Sequence, residues 1–115
     1  MMLTDIAQCF SIGQFSQIQP YFSEDIVWEI VGEQRLSGID QVLKHCQSIE
    51  QYFKLTPHEF QIQSIHQADH HVIIQGEAYF HNGNQTTHIS ACDVYTFNDL
   101  NQLVQVQSYC ISIQK

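Results

Sequence analysis

Basic residues are nearly missing from this chain. It has four Lys plus Arg against twelve Asp plus Glu among 115 residues, a formal net charge of -8. That leaves no basic footprint for nucleic acid and none for an anionic membrane surface. Charged residues are only 14% of the chain, because Gln occupies many positions where Glu or Lys is usual. No hydrophobic run approaches the ~20 residues that a membrane-spanning helix needs. The stretch Met1-Met2-Leu3-Thr4-Asp5-Ile6 lacks the basic and apolar regions of a signal peptide, so a cytoplasmic protein is expected. Cys9, Cys46, Cys92 and Cys110 are far apart, with no C-x-x-C pair. They read as free thiols in a reducing compartment. There is no repeat, no linker, no Gly-rich phosphate loop and no G-x-S-x-G. The chain reads as one domain over residues 1–115, large enough to bury about two-thirds of its unfolded surface.

What is present is a run of short helices followed by long strands. Ile6, Cys9 and Phe10 outline an amphipathic helix that Thr4 or Asp5 can cap and Gly13 can stop. A short, distorted helical stretch covers Phe15 to Phe22, because Pro20 is tolerated only near a helix start. Ile26 to Ile30 is a strand ended by Gly32. Ser37-Gly38-Ile39-Asp40 has the form of a capping box. It opens a helix to about Phe53, with Val42, Cys46, Ile49 and Phe53 at helical spacing. The rest reads as four strands, about Glu59–His66, His70–His81, Gln85–Phe97 and Gln102–Ile113. Asn82-Gly83 is a hairpin turn signal.

Asp93 stands out in this pattern. Strand side chains alternate faces, so Asp93 shares a face with Ile89, Ala91, Tyr95 and Phe97. If Asn82 and Gly83 are the two turn residues, His81 faces Asn84, Val72 faces Asp93, and Ile74 faces Ala91. One face is then apolar on both strands with Asp93 embedded in it, and the other is polar. A one-residue slip destroys that agreement. A carboxylate on an apolar face shifts its pKa, finds a donor, or lines a wet cavity. Asp93 can therefore be a general acid/base, a hydrogen-bonding anchor for a ligand, or a structural group tied to nearby donors.

Three segments carry a family likeness: Tyr21-Phe22-Ser23-Glu24-Asp25-Ile26-Val27-Trp28-Glu29, then Leu36-Ser37-Gly38-Ile39-Asp40, then Asp93-Val94-Tyr95-Thr96-Phe97-Asn98-Asp99. In order and spacing the chain resembles the nuclear transport factor 2-like superfamily, closest to its SnoaL-like and ketosteroid-isomerase-like branch. The resemblance covers nearly the whole chain. It implies an α+β cone, a curved antiparallel sheet wrapped around N-terminal helices, with a central apolar pocket. It places Asp93 where ketosteroid isomerases carry a protonated aspartic acid in the oxyanion hole. The isomerase's general base falls on or near Ile30, and its oxyanion-hole tyrosine near Ile6; neither residue can take that role. Arg35, the only Arg and expected in a loop, leaves the Arg–Asp–Asp arrangement of limonene-epoxide-hydrolase-like members hard to assemble.

The implied pocket is lined by Trp28, Ile30, Val72, Ile74, Ala91, Tyr95, Val106, Ser108 and Cys110 around Asp93. On the last strand, Val104, Val106, Ser108 and Cys110 take the inner face. Leu103, Tyr109, Ile111 and Ile113 take the outer one. An exposed apolar stripe marks an interface. The family commonly pairs through that face, so Tyr109, Ile111 and Ile113 are expected to form a homodimer. The seven His show no close ligand spacing, and no metal is expected. Two functions stay open. One is a binding protein for a small apolar molecule. The other is a cofactor-independent isomerase, cyclase or lyase using Asp93 as general acid/base.

Overall fold

The structure, a computed structural model describing residues 1–113, contains two helices, two short 3-10 turns and six strands. In chain order these are α1 (Leu3–Ser11), the turns Phe15–Gln17 and Gln19–Tyr21, β1 (Phe22–Ile30), β2 (Gln34–Ser37), α2 (Ile39–Leu55), β3 (His58–Ala68), β4 (His71–Asn82), β5 (Gln85–Phe97) and β6 (Leu103–Ile113). The strands form one curved, unclosed sheet in the order β2-β1-β6-β5-β4-β3. β3 to β6 make the antiparallel meander expected from the turns. β1 joins β6 in parallel, so the sheet is mixed. The α+β cone stands, with that one parallel joint added.

The helices bury one stripe each against the concave side. Ile6, Ala7 and Phe10 of α1 are buried, as are Val42 and Cys46 of α2. They meet Ile26 and Trp28 of β1, Val72 and Ile74 of β4, and Tyr95 and Phe97 of β5 in a single core.

α1 is held at both ends by local hydrogen bonds. At its start, the backbone N–H of Met2 donates to Asp5 Oδ2 at 3.0 Å. Asp5 therefore lies inside the first turn and is not the cap. At its end, Gln14 N–H donates to Cys9 O at 2.8 Å and Gly13 N–H to Phe10 O at 3.1 Å. That is the Schellman pairing. It needs a left-handed residue, and Gly13 supplies it at φ 79°. The ring of Phe53 also occupies the space a Cβ on Gly13 would take. Gly13→Ala is expected to cost about 1–2 kcal/mol, read as a lowered urea midpoint with an unchanged slope.

Several expectations need correction. The turn residues of the β4–β5 hairpin are Gly83 and Asn84, between the paired Asn82 and Gln85. Positive φ falls on Gly83 (64°) and not on Asn84, the pattern of a turn with Gly in its first central position. Asp93 thus faces Ile74, and Val72 faces Tyr95. This is a shift of even length, so every side chain keeps its face. α2 has no capping box: Gly38 is its N-cap, at φ 88° and with no side-chain bond. Gln41 Oε1 accepts from Ser37 N–H instead, at 2.9 Å. Arg35 lies on β2, paired with Glu29 of β1, and their side chains approach to 3.8 Å. Leu103 is fully buried, not on the outer face. A bulge lets Thr96 pair with Gln105 while Phe97 pairs with Leu103, which inverts the alternation at the start of β6.

Candidate functional site

Asp93 sits midway along β5 and projects onto the concave side. Its partner across β6 is Ser108, and Trp28 of β1 lies one strand further on. Trp28 Nε1–H donates to Ser108 Oγ at 3.0 Å. The Ser108 hydroxyl in turn favours the charged form of the Asp93 carboxyl. From the other side, Ser11 at the end of α1 donates to Asp93 Oδ2 at 3.1 Å and shares a short hydrogen bond with the Tyr95 hydroxyl. A polar chain therefore crosses an otherwise apolar interior: Trp28, Ser108, Asp93, Ser11, Tyr95. Burial pushes the Asp93 carboxyl above the ordinary carboxylate range, against the opposing hydrogen bonds of Ser108, Ser11 and Tyr95. Tyr95 is fully buried and its phenol is pushed up by burial and by Asp93, so it keeps its proton.

A cavity of about 310 Å³ opens in front of this chain. Phe10, Phe15, Trp28, Phe53, Phe60 and Phe80 supply aromatic walls, with Asp93, Ser11 and Ser108 as inner polar groups. The walls are braced by ring packing. Phe10 lies 4.8 Å from Trp28, and Phe53 lies 5.3 Å from Phe60 and 5.6 Å from Phe80, between centroids. Glu33 and Cys110 also line it. Burial, Asp93 and Glu33 push the Cys110 thiol up to about 11, so it is no thiolate nucleophile at neutral pH. His45 packs edge-on to Trp28 at 5.0 Å. Burial lowers its pKa, and Glu33 partly opposes this.

Of the residues assigned to the pocket, Trp28, Ile30, Ala91, Ser108 and Cys110 line this cavity together with Asp93. Ile74 lines a smaller chamber of about 60 Å³ on the other side of the carboxyl. Val72, Tyr95 and Val106 are fully buried and line neither space. They pack the core behind it. Val72 and Tyr95 form a cross-strand pair, and Tyr95 pairs with Val106 on the other side. The sequence reading missed Ser11 and the phenylalanine walls. Tyr109, Ile111 and Ile113 are exposed, by 42%, 63% and 40%. Among the described residues no group of three His, Cys, Asp or Glu side chains could hold a metal ion, and no helix is long and apolar enough to cross a membrane.

These features define a class: a small α+β cone with an aromatic cavity and a buried carboxyl, Asp93, set into its inner wall. The family profile of a SnoaL-like domain matches residues 3–106, and the chain belongs to that family. No curated protein matches the chain. Among solved structures it is similar to a nuclear transport factor 2-like protein of unknown function from Cytophaga hutchinsonii. That match has a TM-score of 0.85 and 27% identity, and covers 93% of this chain and 94% of the other. It is also similar to an LEH-like epoxide hydrolase of M. tuberculosis (TM-score 0.72, 16% identity, 95% and 82% covered). A third similar structure is a SnoaL-like polyketide cyclase assignment from Shewanella denitrificans (TM-score 0.74, 11% identity, 95% and 90% covered). At those lower identities the likeness is one of fold.

Proposed function

We propose that the protein binds a small, largely apolar molecule in the aromatic cavity and anchors one oxygen of it on Asp93. A single observation carries the reading: the Asp93 carboxyl faces a cavity of about 310 Å³ whose walls are mainly aromatic and aliphatic. That volume lies at the lower end of ordinary ligand sites, in which a few placed polar groups set orientation. With its pKa raised by burial, the carboxyl can keep a proton to donate to a ligand carbonyl, ether or hydroxyl oxygen. A thermal-shift screen of aromatic ketones, lactones and epoxides tests this. Stabilisation that Asp93→Asn loses supports the reading; stabilisation that survives the change moves the anchor elsewhere.

A second reading, proton transfer by Asp93 in an isomerase, cyclase or lyase without a cofactor, draws on the same raised pKa. General acid–base groups are tuned in that direction. Epoxide hydrolysis and polyketide cyclisation, the reactions after which two of the fold relatives are named, are compatible with it. Turnover of a stabilising ligand by wild type and its loss in Asp93→Asn separates catalysis from simple capture.

The outer sheet face is proposed as a homodimer interface, because Tyr109, Ile111 and Ile113 present three large apolar side chains to solvent. Ile111→Glu is expected to give a monomer by light scattering where wild type gives a dimer. A dimer that persists in the variant places the interface elsewhere. The four free thiols suit a cytoplasmic site of action.

A further inference from the structure

The carboxyl of Asp93 is shared by two spaces. The large cavity and the chamber of about 60 Å³ have Ser11, Phe60, Ala78, Ala91 and Asp93 in common, so they meet at the carboxyl. Beyond that doorway the chamber is walled by Ile12, Ile62 and Ile74. Its remaining wall is bare because Gly76 carries no side chain, and Gly76 is fixed there. A Cβ would come within 2.8 Å of the Gln61 carbonyl oxygen. Glu77 and Gln61 border the space through their main chain. The Glu77 side chain lies on the opposite face of the sheet, where it accepts from Gln63 and meets His88. Ile12, Phe60 and Ile62 also border an outer cleft between α1 and β3. The same three side chains therefore stand between chamber and cleft and limit the chamber's depth.

Water suits this chamber poorly. The space has room for water, but an ordered water needs two to four polar partners. Asp93 and Ser11, bonded to each other, are the polar side chains at the doorway, and the main chains of Gln61 and Glu77 are the other polar groups on a wall that is otherwise hydrocarbon. A small saturated carbon group suits it well, since Ile12, Ile62, Ile74, Ala78 and Ala91 offer only hydrocarbon.

We infer that the site takes a branched ligand: a flat apolar body in the large cavity, an oxygen at Asp93, and a small alkyl branch, methyl to isopropyl, next to that oxygen in the chamber. The inference rests on the pocket reading and adds the shape of the substrate class. The body stacks among Phe10, Trp28 and Phe60. The branch passes the doorway at Ala78 and Ala91, where larger side chains would close it.

The test uses 1-tetralone as parent ketone, with its 2-methyl, 2-isopropyl and 2-phenyl derivatives, each titrated against the full chain. Trp28 is the only tryptophan and lines the cavity, so its fluorescence reports occupancy. The better enantiomer of 2-methyl-1-tetralone is expected to bind about fourfold more tightly than the parent, the gain of one buried methyl. The 2-phenyl compound is expected to bind more weakly than the parent. In Ile62→Phe, which fills the chamber, the ratio of parent to methyl Kd should fall to about one. Ile12→Phe approaches the chamber from α1 and gives the same readout if the first variant does not fold. A parent that binds with no gain from methyl, or a gain that survives both variants, overturns the chamber and leaves the pocket. Binding by none of the four ketones overturns the pocket reading and this inference with it.

Discussion

Asp93→Asn is expected to melt at a higher temperature than wild type at pH 8 while binding ligand about tenfold more weakly. The stability half follows from burial. An Asp in an unfolded chain titrates near 3.9, and the folded environment raises that value. Between the two pKa values the folded state holds a proton that the unfolded state has lost. Stability is therefore fully present below about pH 4 and falls as pH rises through the folded value. Asn carries no charge at any pH and keeps an oxygen to accept from Ser11, so the variant escapes that fall. The difference in melting temperature should open above about pH 4 and close below it. A wild type that gains stability over the same window would mean that the bonds from Ser11, Ser108 and Tyr95 outweigh burial, and the carboxyl would then be a tied, structural anion. The binding half follows from exchanging the acid O–H for an amide N–H, a poorer donor that cannot pass its proton to the ligand oxygen. One hydrogen bond from a neutral acid is worth about 1 kcal/mol or more, and about 1.4 kcal/mol is tenfold in Kd. Calorimetric titration of both proteins with the same ketone from about pH 4 to pH 8 measures it, and the difference should fade as the wild-type carboxyl loses its proton.

Much of this site was legible because strand parity survives error. The hairpin turn lies one residue later than Asn82-Gly83 suggests, and the pairing moves so that Asp93 faces Ile74. Since the move is even, Ala91, Asp93 and Tyr95 keep the concave face that alternation assigned them. Parity fails where a bulge intervenes, and Leu103 is the case in point. Nothing in Leu103-Val104-Gln105 marks an extra residue, and only the pairing with Thr96 and Phe97 exposes it. β2 was missed for another reason. Gln34-Arg35-Leu36-Ser37 has little β propensity and is a strand because β1 supplies partners for it. Ser11 is the most instructive omission. It lies at the last position of α1, off the stripe of Ile6, Ala7 and Phe10. Its bonds reach residues 82 and 84 positions away along the chain. Such contacts depend on how the helix docks on the sheet, which a local pattern does not encode. The same holds for Val72, Tyr95 and Val106. Alternation gives their face but not their depth: Tyr95 lies beneath Phe10 and Ser11, and Val72 and Val106 flank it on the neighbouring strands.

Phe10→Ala is expected to be strongly destabilising. Phe10 is 4% exposed, and its ring meets four others: Trp28 at 4.8 Å, Phe15 at 5.0 Å, Tyr95 at 5.5 Å and Phe22 at 5.9 Å. Those rings come from β1, β5 and the first 3-10 turn, so Phe10 ties α1 to both ends of the polar chain, Trp28 and Tyr95. Phe→Ala in a core costs about 3–5 kcal/mol, against a total of about 5–15 kcal/mol for an ordinary domain. Each kcal/mol moves the melting temperature of a domain near this size by roughly 4–8 °C, so a fall of about 12 °C or more is expected by calorimetry. The loss should sit toward the lower end of the range, because Phe10 also lines the large cavity. Its removal widens a space already open to solvent and does not create a sealed void. Phe10→Leu, which keeps most of the hydrocarbon, should cost less than about 1.5 kcal/mol. The two variants together separate packing from aromatic geometry. If Leu costs as much as Ala, the edge-on contacts to Trp28 and Tyr95 dominate. If both cost under about 1 kcal/mol, α1 is not anchored through this ring, and the placement of Ser11 on Asp93 would lose its main support.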